Sequence, residues 1–142
     1  LARPPVLVTA GWDPAELHQL AWKWAEALHA GPPLVVDALE LAHGPLQALY
    51  DEPRLLLGLV DPGTDRLFDR VEATLAPERH ALLRLPARLP PPLSIFEHDA
   101  ALNRIVLAAL AQDPSRVGPW PGRGRDQPLY DIGAELPHEP AT

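Results

Sequence analysis

Residues 54 to 60 read RLLLGLV, apolar almost without interruption after the arginine. A strand with one wet face alternates polar and apolar residues; one without alternation is covered on both faces, which happens in parallel sheets flanked by helices. Asp61-Pro62-Gly63 then turns the chain. Three more short runs read as strands: Val6 to Thr9 (VLVT), Leu34 to Leu39 (LVVDAL) and His80 to Leu85 (HALLRL).

Between these runs the period changes to that of a helix. Asp13 is suited to an N-cap, Pro14 to the first turn, and Glu16 completes a capping-box pattern. Leu17, Leu20, Ala21, Trp24 and Leu28 then share one face, with Trp22 pointing elsewhere. Gly31, Pro32 and Pro33 stop the helix. Pro45 to Asp51 reads as a short helix, Thr64 to Leu75 as an amphipathic one, and Leu93 to Gln112 as a long one after the proline-rich stretch 86–92. Strand–helix alternation of this kind predicts a three-layer α/β/α domain with a four- to five-stranded parallel sheet and right-handed crossovers. The domain is expected to span 1–112, with 113–142 an irregular tail rich in Pro, Gly and Arg.

Composition narrows the chemistry. The 142 residues suit one domain. Without cysteine there are no disulfides and no thiolate metal ligands, and the 6 histidines form no tight H-x-x-x-H pair, so neither a metal nor another cofactor is expected. A net charge of −7 argues against nucleic acid, whose binding rests on phosphate neutralisation by Lys and Arg. No apolar run is long enough to span a membrane, and a cytoplasmic location is expected.

In open parallel sheets ligands sit beyond the carboxyl ends of the strands. That edge should carry Ala10-Gly11-Trp12-Asp13, Glu40 to Gly44, and Asp61 to Thr64. Gly11, Trp12 and Glu40 are therefore substrate-binding candidates.

Two motifs carry more. Glu40-Leu41-Ala42-His43-Gly44-Pro45 resembles the E-L-x-H-G-P segment of the isomerase half of glucosamine-6-phosphate synthase. Lys23-Trp24-Ala25-Glu26 looks like that family's K-L-K-E helix segment, with one extra residue between the motifs. The order of elements over about residues 4–112 is also similar to a sugar isomerase (SIS) domain, the second of the pair. The resemblance implies aldose–ketose isomerisation of a sugar phosphate. It places Glu26 as the carboxylate that moves a proton between C1 and C2, Lys23 as a lysine beside the substrate, and His43 as the group that assists ring opening in a neighbouring subunit's site. In this family a Ser/Thr-rich phosphate loop belongs to the first SIS domain. Here only Ser94 and Ser115 occur, so a partner SIS domain or a second copy is expected, with Trp22 and the 93–112 helix as contacts.

Plainer readings stand beside these. Lys23 and Glu26 have the spacing of a surface i, i+3 pair. His43-Gly44-Pro45 has the composition of a turn into a helix. Glu97, His98 and Asp99 read as solvated charge on a helix. The alternative function is a non-catalytic sugar-phosphate-binding or interaction module.

Overall fold

The computed structural model describes residues 3–50, 52–119 and 122–128. Its sheet is parallel throughout, with strands β1 (Val6–Thr9), β2 (Leu34–Asp37), β3 (Arg54–Val60) and β4 (His80–Pro86) in the order β2-β1-β3-β4. The helices are α1 (His18–Leu28), α2 (Ala38–Leu41), α3 (Pro45–Leu49), α4 (Asp65–Thr74) and α5 (Ser94–Gln112). A 3-10 turn, Pro14–Leu17, leads into α1, and another, Pro114–Arg116, follows α5.

Strand parity builds the three layers. Val6 and Val8 of β1 and Leu56 and Val60 of β3 face one side, where Leu41, Leu49, Phe68 and Val71 of α2, α3 and α4 meet them. Leu7, Leu57 and Leu59 face the other side and pack against Leu20, Trp24 and Leu28 of α1 and Leu102 of α5. Burying each such side chain stabilises the fold by roughly 1.5–3 kcal/mol. Gly58 gives the first side its close fit, because a Cβ there would lie 2.8 Å from the Phe68 ring.

The ends of the elements differ from the sequence reading in instructive ways. β2 stops at Asp37 rather than Leu39, because the Asp37 side chain accepts the Leu39 amide proton and opens α2. Asp13 does cap the turn into α1, accepting from Ala15 N at 2.9 Å, but Glu16 answers only through its own backbone N–H to Asp13 O. α1 ends on His29 in the left-handed region, φ 48°, two residues ahead of Gly31. Residues 113–116 are tied down rather than irregular: Arg116 Nη1 donates to Leu28 O at the end of α1. Of the expected tail, residues 120, 121 and 129–142 lie outside the described residues.

Candidate functional site

In the order β2-β1-β3-β4 the direction of strand addition reverses between β1 and β3, and the carboxyl ends of those two strands form the switch point at which α/β sheets bind ligands. Here the chain's own side chains fill it. Asp61 follows Leu57 and Leu59 in parity, so it turns toward the α1/α5 layer. There its Oδ2 accepts from Trp12 Nε1 at 2.6 Å and its Oδ1 lies 3.0 Å from His98 Nε2. All three side chains are buried, Asp61 at 2% and His98 at 1% exposure. On the same layer the hydroxyls of Thr9 and Ser94 are also buried and find no partner among the described residues. One turn separates Ser94 from His98 on α5, so both face the sheet.

This network corrects two expectations. Trp12, expected among the edge residues open to a ligand, is buried, with its one donor engaged by Asp61. Glu97, His98 and Asp99 are not a run of solvated charge. At about 100° per residue they diverge: Glu97 reaches the 88–89 loop, His98 enters the core, and Asp99 pairs with Lys23.

Gly11 is likewise engaged, donating its backbone N–H to Asp37 Oδ2 at 2.7 Å, with φ +81° that favours glycine. Asp37 thus ties the loop after β1 to the start of α2, and so sets the stem on which the Glu40–Pro45 segment stands. Asp37 and Asp61 were not among the sequence candidates. Asp37 carried a signal, D-x-x-E over Asp37–Glu40, the pattern of a capped helix start.

The Glu40–Pro45 segment exits β2 at the carboxyl edge. His43 N donates to Glu40 O at 2.9 Å, Gly44 takes φ 123° and ψ −47°, and Pro45 opens α3. Only glycine adopts such a backbone at low cost, which explains Gly44 in purely structural terms. The side chains of Glu40 and His43 are exposed and make no hydrogen bond among the described residues.

Lys23 and Glu26 lie on the outward side of α1, both exposed. Lys23 Nζ meets Asp99 Oδ1 of α5 at 2.5 Å rather than Glu26. The Glu26 carboxylate has no ion pair among the described residues, and it sits in the open rather than in the shielded cleft that proton transfer calls for. α1 runs back from the carboxyl edge, so Glu26, two residues from its end, lies toward the amino edge. His43 lies at the carboxyl edge beside α2 and α3, on the other face of the sheet. One chain therefore brings Glu40 and His43 together, and Lys23 and Glu26 together, but not the two pairs.

Three carboxylate-centred contacts carry the strongest polar geometry elsewhere. Backbone donors from Leu89 and Arg88, then the Arg88 guanidinium, hold the Glu97 carboxyl below its ordinary value. Ser115 and Arg116 do the same for Asp113. Asp69 and Glu72 raise the Arg84 guanidinium through hydrogen bonds. Among the described residues no group of His, Asp and Glu converges to hold a metal ion. No helix among them is long and apolar enough to cross a membrane.

Fold and site together define a parallel α/β domain with a buried Trp12–Asp61–His98 network at its switch point, Lys23 and Glu26 exposed on α1, and Glu40 and His43 exposed after β2. No family model matches the chain, and neither does any curated protein or solved structure.

Proposed function

We propose that the chain is one SIS-type half of a phosphosugar site, binding an aldose or ketose phosphate and acting in aldose–ketose isomerisation together with a second SIS unit. The observation that carries this reading is the placement of Glu40-Leu41-Ala42-His43-Gly44-Pro45 at the carboxyl-edge exit of β2, while Lys23-x-x-Glu26 stays open on α1. In this reading Glu26 takes the proton from C1 of the open-chain ketose, leaving an enediolate, and returns it to C2 while the O1 proton passes to O2, which gives the aldose. A carboxylate suits a step in which one proton is accepted and given back. Lys23 leaves Asp99 to steady the negative charge on the sugar oxygens. His43, on the opposite face from Glu26, serves the site of a neighbouring unit, where an imidazole, able to give and accept a proton, assists ring opening. The second unit both shields Glu26 and supplies phosphate donors.

A second reading is a non-catalytic sugar-phosphate-binding or interaction module. It is favoured by the Trp12–Asp61–His98 plug at the switch point and by the open setting of Glu26. Titrating the chain with fructose 6-phosphate while following backbone amide resonances tests both. Either reading of sugar-phosphate binding expects shifts that saturate at residues 23–26 or 40–45. Saturating shifts confined to other surfaces contradict the proposal, and so does an absence of shifts when the chain is titrated together with its second unit.

A further inference from the structure

α5 carries a stripe that the sheet does not use. At about 100° per residue, Phe96, Ala100, Leu107 and Ala111 fall in one narrow sector, opposite Leu102 and Ile105 of the packed side. All four are exposed, Phe96 at 69% and Leu107 at 64%. Leu93, just ahead of the helix, continues the stripe at 51%. The alanines leave room for another helix to approach closely. Asn103 and Arg104 divide the stripe into two apolar ends, Phe96 with Ala100 and Leu107 with Ala111, and large apolar side chains left on one helix face suit a contact surface.

The flanks indicate what covers it. On the side away from α1 stand Glu97, whose carboxylate also accepts from the Arg88 and Leu89 amides and the Arg88 guanidinium, and Arg104, which makes no ion pair among the described residues. On the α1 side stand Asp99 and Asn103. When two copies of a helix pack antiparallel about a two-fold axis, each flank meets the same flank of the other copy, and every contact occurs twice. One flank then sets Arg104 opposite Glu97 of the second copy, and the other sets the Asn103 amide opposite the Asp99 carboxylate. The register that does so places Phe96 beside Leu107 of the second copy. Antiparallel order also opposes the two helix dipoles.

We infer that this stripe is a homodimer contact in which α5 packs antiparallel against α5 of a second copy of the chain. The contact rests on the stripe and its flanks alone and does not depend on sugar phosphate being the ligand. It also separates the two expected contacts. Trp22 stacks on His18 with ring centroids 6.1 Å apart and borders Pro33 and Leu34 at the β2 edge, away from this stripe.

Cysteine cross-linking reads the register directly, because the chain has no cysteine of its own. The two-fold axis passes between residues 101 and 102. At about 1.5 Å of rise per residue, the two copies of position 100 are offset by about 5 Å along the helices and those of position 111 by about 28 Å. Oxidised Ala100→Cys should run as a covalent dimer, twice the 15.5 kDa of the chain, while Ala111→Cys should not cross-link. Leu107→Glu should shift the sedimenting mass from dimer to single chain with unchanged circular dichroism, and Arg104→Glu should raise the dimer dissociation constant. The Ala100→Cys result stands if Leu107→Glu fails to fold. A wild-type chain that sediments as a monomer at its highest soluble concentration overturns the inference. So does cross-linking at both positions, which means a parallel pair. So does a dimer that cross-links at neither, which means the stripe is covered by something else.

Discussion

His98 on α5 and Asp61 at the end of β3 meet at 3.0 Å with both side chains removed from solvent, and this contact fastens the longest helix to the centre of the sheet. The Trp12 indole shares the same carboxylate. Asp61→Ala leaves His98 and the indole N–H buried without an acceptor. The expected loss is about 2–5 kcal/mol of unfolding free energy. Asp61→Asn, which keeps one acceptor oxygen, should lose less. Urea titrations of the two variants check the order, and equal losses would show that the hydrogen bonds contribute little.

The network also shows where reading the sequence stopped. The apolar runs of β1 and β3 were legible because burial on both faces leaves no alternation. The 93–112 helix was legible from length and a proline-rich lead. His98 was not, because its partner lies 37 residues upstream, and no local period encodes a contact across the layers. The burial of Trp12 was hidden for the same reason: position at the carboxyl edge says which end of the sheet a residue occupies, not whether its side chain turns inward. The Lys23–Glu26 spacing fixed a shared helix face, yet Asp99, 76 residues on, took the lysine.

Gly58 sits in β3 beneath the Phe68 ring, with ring atoms 2.8 Å and 2.9 Å from where a Cβ would stand. Neither a central strand nor a fully buried ring yields easily. Gly58→Ala should destabilise the domain by roughly 1–3 kcal/mol. In a Phe68→Leu background the same substitution should cost markedly less, because the clash is with the ring. Thermal melts of the four chains form the cycle, and strict additivity would contradict the packing account.

Glu97 holds the proline-rich loop by accepting from the backbone amides of Arg88 and Leu89 at 2.6 Å and 2.8 Å. These bonds favour the charged carboxylate, so its value in the folded chain is lowered. The stabilisation is complete above the unfolded-state value of about 4.3 and fades as pH falls through the lowered folded value. Amide exchange at Arg88 and Leu89, corrected for its intrinsic pH dependence, should therefore quicken on acidification. Glu97→Gln should show the quickened exchange already at neutral pH, with the pH dependence largely gone.

Glu26 is the residue on which the isomerase reading stands. The intact protein, incubated with fructose 6-phosphate or glucosamine 6-phosphate in deuterated water, should incorporate solvent deuterium at C1 or C2 of the sugar. Glu26→Gln should abolish that incorporation while leaving sugar-phosphate binding and the fold in place. Bound sugar phosphate with neither turnover nor incorporation by the wild type, or turnover and incorporation that survive Glu26→Gln, would contradict the assignment of Glu26 as the proton carrier.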